Sequence, residues 1–202
     1  TLVSRLSGKW TDTHSEEIKR GITIKLGYAD IVIYKDKEGY NTQGKWEPYK
    51  HVSFIDAPGH EMLMATTLSG ATLIDAAILV IAANEGIKPQ TREHLMTLQA
   101  KKVEKIIVVQ NKIDLVNKEQ ALKNFKEIKN FLGKKYENSE IIPVSAQQSV
   151  NIDELIRAIA EIPVPKRELE RQTVFLVARS FDINKPGTPS SKLNGAVLGG
   201  TL

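Results

Sequence analysis

The sequence predicts a doubly wound α/β domain followed by the start of a β domain. Two observations carry the first part. Short Ile- and Val-rich runs recur between residues 29 and 144, and helix-patterned stretches separate them. Strands alternating with helices wind into a largely parallel sheet covered on both faces. The third observation concerns the end of the chain, where two prolines in "IPVPKRE" (162–168) break the helical pattern and a Gly-, Pro- and Ser-rich stretch follows. The expected division is therefore 1–165 and 166–202.

The strands are expected at "ADIVIY" (29–34), "HVSFI" (51–55), "AAILVIA" (76–82), "KIIVVQ" (105–110) and "EIIPV" (140–144). Three of these are nearly unbroken apolar runs, as strands buried on both faces require. "HEMLMATTLSGA" (60–71) predicts a helix. So does "KPQTREHLMTLQAK" (88–101), with Pro89 as a good first-turn residue. In "KEQALKNFKEIKNFLGKK" (118–135), Leu122, Phe125, Ile128 and Leu132 are expected on one helical face, with a stop near Gly133. "NIDELIRAIAEI" (151–162) places Ile152, Leu155, Ile156 and Ile159 on another. The polar segment 35–50 has no regular period and predicts a surface hairpin or loop. "TVFLVARSF" (173–181) predicts a strand in the last part.

Composition bounds the function. Apolar residues make up 41% and charged residues 26%, ordinary values for a globular chain. The net charge of +4 is compatible with RNA contact without requiring it. Cysteine is absent, which excludes disulfides and cysteine-zinc sites and suits a reducing cytoplasm. No apolar run reaches membrane-spanning length, so no membrane partner is expected. The chain starts at Thr1 without methionine and ends within a pattern, so both ends look cut.

Ligands of open α/β sheets bind at the carboxyl ends of the strands, and three of those ends are polar here. The strand 105–110 ends in "NKID": Asn111, Lys112, Ile113 and Asp114. An Asp carboxylate accepts two adjacent donors, and guanine offers N1–H beside its exocyclic amine where adenine does not. Asp114 would select guanine by about 1–3 kcal/mol if it behaves like bidentate base contacts in DNA. Asn111 could meet the base N7 or brace neighbouring loops, and the Lys112 stem could lie along the base face. The strand 140–144 ends in Ser145, Ala146 and Gln147. The Ala146 N–H could meet guanine O6, and Ser145 could tether the Asp114 loop. Alone, "NKID" reads equally as a capped turn; beside "SAQ" the base-reading role prevails.

The strand 51–55, expected to be buried and apolar, ends in "DAPGH". A carboxylate there, Asp56, can hold Mg²⁺ beside a nucleotide, usually through water. Gly59 lets a backbone N–H approach a terminal phosphate, a bond that exists only while the phosphate does. His60 would orient the attacking water. A proline turn with His60 capping the next helix remains the plain alternative. Thr23 is a candidate hydroxyl ligand for Mg²⁺, or simply a β-branched residue at a strand edge.

In order and spacing these boxes resemble those of the translational GTPases, which have a P-loop NTPase-type fold. "HSEEIKRGITIKLGYAD" (14–30), "HVSFIDAPGHEMLMATTLSGATLIDAAILVIAANE" (51–85), "PQTREHL" (89–95) and "VARSFDINKPGT" (177–188) narrow the resemblance to the gamma-subunit family of archaeal and eukaryotic translation initiation factor two. The stretch 14–30 separates it from elongation factor Tu and from the selenocysteine-specific elongation factor. The resemblance implies a GTPase that carries methionylated initiator tRNA to the small ribosomal subunit with GTP bound and is switched off by hydrolysis. It implies a cytoplasmic heterotrimer with alpha and beta subunits. It assigns Asn111, Lys112, Ile113, Asp114, Ser145, Ala146 and Gln147 to the base, and Asp56 and Gly59 to the γ-phosphate. Thr23, with the Gly21 carbonyl as a second candidate, falls to Mg²⁺, and His60 to the water.

Two departures stand out. The phosphate loop G-x-x-x-x-G-K-[ST] does not occur in these residues, and "TLVSRLSG" resembles the helix that follows it. These residues alone should bind GTP poorly and hydrolyse it negligibly. The cysteine zinc knuckle usual in the family is also missing between Thr23 and Asp56, so no zinc site is expected. Without the family's central first strand, strands 51–55 and 76–82 should not be hydrogen-bonded to each other. They should lie about two strand spacings apart, where one spacing is about 4.8 Å. A non-catalytic module that kept the fold and lost the nucleotide is the alternative from another class.

Overall fold

The structure is a computed structural model, and it describes residues 1–9, 27–37, 39–43, 47–57, 74–165, 175–195 and 197–201. The chain divides into two compact units, Thr1–Val164 and Pro165–Leu202. The first begins with helix α1 (Leu2–Ser7), closed by Gly8 in the left-handed region at φ 71°. Strands β1 (Gly27–Lys35), β2 (Tyr40–Asn41) and β3 (Pro48–Asp56) follow, then β4 (Ala77–Ala82). Helix α2 (Pro89–Ala100), β5 (Ile106–Asn111), α3 (Lys118–Leu132), β6 (Ile141–Pro143) and α4 (Ile152–Glu161) complete it.

Among the described residues this unit holds two three-stranded sheets. One has the order β2–β1–β3 and is antiparallel; the other has the order β4–β5–β6 and is parallel. Among the described residues β3 pairs with β1 and β4 pairs with β5, so β3 and β4 are not hydrogen-bonded to each other. The segment expected to be a hairpin or loop is a hairpin: Tyr34 opposes Asn41 and Lys35 opposes Tyr40.

Burial follows sheet type. Ile106, Ile107, Val108, Val109 and Gln110 of central β5 are all buried, as a strand covered on both faces must be. β1 alternates instead, with Ala29, Ile31 and Ile33 inward. The strand 51–55 departs from the expectation of a buried run. Val52 and Phe54 are only half-buried and Ser53 is exposed, because β3 lies against the core with one face. Pro143 is tolerated because it ends an edge strand.

One core joins the two sheets: Leu6, Ile31, Ile33, Ile107, Val109, Ile142, Val144, Leu155 and Ile159 pack together. Lys50 adds a polar link. Its Nζ donates to Ala160 O at 2.7 Å, to Ile159 O at 3.4 Å and to Ile162 O, all at the C-terminal end of α4. A cation there answers the unpaired carbonyls and the negative end of the helix dipole. A second core lies under α2 and α3, with Leu79, Ile81, Leu95, Leu98, Ile128 and Leu132.

In α3 the buried stripe is not quite the expected one. Leu122 is 52% exposed, while Asn124 is 4% exposed and takes the inward position. The reason is Gln110, whose Nε2 donates to Asn124 Oδ1 and to Ala121 O, both at 2.8 Å. The polar pair orients the helix so that Ala121, Asn124, Ile128 and Leu132 face the sheet. Among the described residues no helix is long and apolar enough to cross a membrane. In the second unit β7 (Leu176–Phe181) and β8 (Val197–Thr201) form an antiparallel pair. The expected helix 60–71 lies outside the described residues.

Candidate nucleotide-binding site

Parallel pairing puts the carboxyl ends of β4, β5 and β6 on one edge. Ala82 opposes Asn111, and Gln110 opposes Pro143. The chain therefore brings three segments to that edge: 83–85, 112–115 and 144–148. Backbone bonds join them, with Ala83 N–H donating to Asn111 O at 2.7 Å and Val144 N–H to Gln110 O at 2.8 Å.

The "NKID" turn is anchored at its first residue. Asn111 Oδ1 accepts from the Ala146 N–H at 3.1 Å, so Asn111 braces the neighbouring loop. Ile113 N–H reaches Val144 O at 3.4 Å, a second tie between the same segments. Lys112 sits in the left-handed region at φ 62°. For a residue with a Cβ, such a conformation costs about 1–3 kcal/mol and persists only when its surroundings fix it. Part of the fixing is visible: Lys112 Nζ lies 2.8 Å from Glu85 Oε1 on the adjacent strand end. The hydrogen bond and charge of Lys112 hold the Glu85 carboxyl below the usual range. Asp114 stands exposed in the short 3-10 turn Ile113–Leu115. Helix α3 starts just beyond, capped reciprocally by Asn117 and Gln120 at 2.9 and 3.0 Å.

The 145–148 loop is held at every peptide. Ser145 N–H and C=O exchange bonds with Val150 at 3.2 and 3.0 Å. Ser145 Oγ accepts from Gln148 N–H at 3.1 Å. The hydroxyl expected to tether the Asp114 loop thus closes its own turn, and the tie between loops runs through Asn111. Ser145 and Ala146 are buried while Gln147 is exposed. The Ala146 N–H expected to meet a base oxygen is engaged by Asn111. Two further bonds come from α1: Arg5 Nε donates to Ala146 O and Arg5 Nη2 to Gln147 O, both at 3.0 Å.

The other half of the expected site is described only at Asp56, the half-buried last residue of β3, opposite Gly27. A carboxylate oxygen at a strand end suits Mg²⁺, which uses one or two protein carboxylates together with phosphate oxygens and water. Among the described residues no group of three or more His, Cys, Asp or Glu side chains could hold a metal. Gly59, His60, Thr23 and Gly21 lie outside the described residues. The sequence reading missed Glu85 and Arg5. The position of Glu85, three residues past a strand on the same edge, was a usable signal. Arg5 offered none, because its contact spans 141 residues.

This chain matches the family described as "Elongation factor Tu GTP binding domain" across residues 3–164. It belongs to that family. Its whole length aligns with curated translation initiation factor 2 gamma subunits: 56% identity to that of Archaeoglobus fulgidus, covering 51% of the relative, and 54% to that of Pyrococcus furiosus, covering 52%. The chain thus spans about half the length of the curated relatives it matches. Among solved structures it resembles a bacterial selenocysteine-specific elongation factor EF-Sec, with a TM-score of 0.74 and 30% identity over 98% of this chain and 31% of that one. It also resembles elongation factor SelB from Methanococcus maripaludis, solved with the GTP analogue GppNHp, with a TM-score of 0.64 and 26% identity over 91% of this chain and 35% of that one.

Proposed function

We propose that this chain is part of a GTP-binding translation initiation factor subunit. In its GTP state the protein carries methionylated initiator tRNA to the small ribosomal subunit, and GTP hydrolysis switches it off. The single observation that carries the guanine reading is the clasp between Asn111 Oδ1 and Ala146 N–H, 3.1 Å long. It joins the Asp114 turn and the Ser145–Gln147 loop into one edge where a base can lie. In this reading Asp114 accepts from the guanine N1–H and amine, Lys112 and Ile113 flank the base, and Asn111 holds the turn. Ser145, Ala146 and Gln147 bound the side of the base that carries O6.

Asp56 would hold Mg²⁺ with GTP, beside Thr23 and the Gly21 carbonyl. The ion would draw charge from the phosphates as the terminal bond breaks. Gly59 would sense the γ-phosphate and His60 would orient the water. Alpha and beta subunits, GDP after hydrolysis and a cytoplasmic location complete the proposal.

The experiment is Asp114→Asn in the full-length protein. Exchanging the carboxylate for an amide swaps acceptor and donor at the base edge, so GTP should be lost and xanthosine triphosphate gained. Unchanged GTP affinity would remove Asp114 from the base. The TM-score of 0.74 favours a second reading, delivery of selenocysteinyl-tRNA. The 56% identity to an initiation subunit against 30% to EF-Sec favours the first. Binding of initiator methionyl-tRNA against selenocysteinyl-tRNA separates them.

A further inference from the structure

We propose that Arg5 is a positioning residue for guanine recognition, locking the peptides that follow Ala146 and Gln147 so that the Gln147 N–H faces the base. The inference rests on the guanine reading above and extends it to a side chain outside every strand-end motif. Arg5 is exposed, yet its guanidinium is committed to two backbone carbonyls, Ala146 O and Gln147 O, each at 3.0 Å. Helix α1 is seated independently of that contact, by Leu6, which is 3% exposed and packs in the core with Ile31, Ile33 and Leu155. The helix is therefore a fixed post and Arg5 is the arm between it and the loop.

The chemistry of the loop explains what the arm does. A peptide unit is planar and trans, so its carbonyl and the following N–H point in opposite directions. Holding Ala146 O toward Arg5 aims the Gln147 N–H to the opposite side. Holding Gln147 O likewise aims the Gln148 N–H away, where it meets Ser145 Oγ at 3.1 Å. The preceding peptide is set by Ala146 N–H on Asn111 Oδ1 and by Ser145 O accepting from Val150 N–H. Three successive peptide planes are thus fixed before any ligand arrives, and two of them are fixed by Arg5. Donors held in place in advance bind more tightly because their ordering cost is not charged to the ligand. Ala146 and Gln147 can take water on their carbonyls once Arg5 is gone. Its loss therefore loosens the loop without unfolding the unit.

The test uses the full-length protein with Mg²⁺, and compares GDP with 2-aminopurine riboside 5′-diphosphate, which keeps the exocyclic amine and lacks both O6 and the N1–H, so each variant is scored by its loss relative to wild type on the same ligand. Arg5→Ala should weaken GDP about tenfold. It should leave the O6-less analogue within about twofold and the melting temperature nearly unchanged. Arg5→Lys, which keeps one reaching donor, should lose about threefold for GDP, a partial rescue. Equal losses for both ligands would make Arg5 a structural support and overturn the inference. So would unchanged GDP affinity in Arg5→Ala. If Arg5→Ala does not fold, Arg5→Lys and Arg5→Gln carry the same comparison. A wild-type protein that binds GDP no better than ADP defeats the guanine reading and this inference with it. That failure is told apart because it needs no variant.

Discussion

Replacing Gln110 by leucine tests how the edge formed by 83–85, 112–115 and 144–148 is supported from below. Gln110 is 2% exposed, and its amide serves two acceptors on α3, Ala121 O and Asn124 Oδ1, at 2.8 Å each. Gln110→Leu keeps the volume and removes both donors. Ala121 O retains its place in the helix ladder, so its loss is small. Asn124 Oδ1 is left without that donor in a residue only 4% exposed, and a buried acceptor in that state costs about 1–3 kcal/mol. The added apolar contact offsets part of this. The net loss should be about 2 kcal/mol, or roughly 4–8 °C in melting temperature for a unit of this size. The partner variant completes the argument. Gln110→Leu with Asn124→Leu removes both polar groups and should return to within about 1 kcal/mol of wild type. The pair should show a coupling of at least about 1 kcal/mol in a double-mutant cycle. Calorimetry of the four proteins measures this. A Gln110→Leu melting temperature within one degree of wild type, or a double variant no better than the sum of the singles, would refute the reasoning.

Lys50→Met should destabilise the same unit by about 1–2 kcal/mol, because it removes a cation from the carbonyls that end α4; guanidinium unfolding checks the size. His94 gives a pH dependence. Burial lowers its pKa, against the opposing charge of Glu93, so the unfolded chain takes up the proton first. Stability should be flat above about pH 6.5 and fall as pH drops from there toward the folded value. His94→Gln should flatten that fall, and thermal melts across the range show whether the two profiles separate or coincide.

Much of the α/β unit was legible because its signals are local. β5 and β6 fall within a residue or two of the apolar runs at 105–110 and 140–144, since a buried parallel strand must be apolar throughout. Helix α2 begins at Pro89, the first-turn residue of its stretch, and α3 and α4 begin within a residue of the helix-patterned stretches 118–135 and 151–162. Leu122 was assigned to the wrong face because hydrophobicity alone cannot know that Gln110 claims Asn124 for the interior. The strand 51–55 looked buried because an apolar run does not tell how many faces are covered. In the candidate site, Asn111, Lys112, Asp114 and Ser145 were visible as polar residues directly after apolar strands, and Ala146 as the residue next to Ser145. Their mutual bonds were not, since each depends on strand register. Glu85 and Arg5 were hidden for the same reason to a greater degree.

The bond between Arg5 and Ala146 also sets a timetable. It joins residues 141 positions apart, so on the ribosome α1 emerges long before the loop it holds. At about 5–20 residues per second, the wait is about 7–28 s. For most of that interval Leu6 has Ile31 and Ile33 to pack against, but neither Leu155 nor the carbonyls that Arg5 will grip. The edge formed by 83–85, 112–115 and 144–148 is therefore among the last parts of the unit to be assembled, with only α4 still to follow.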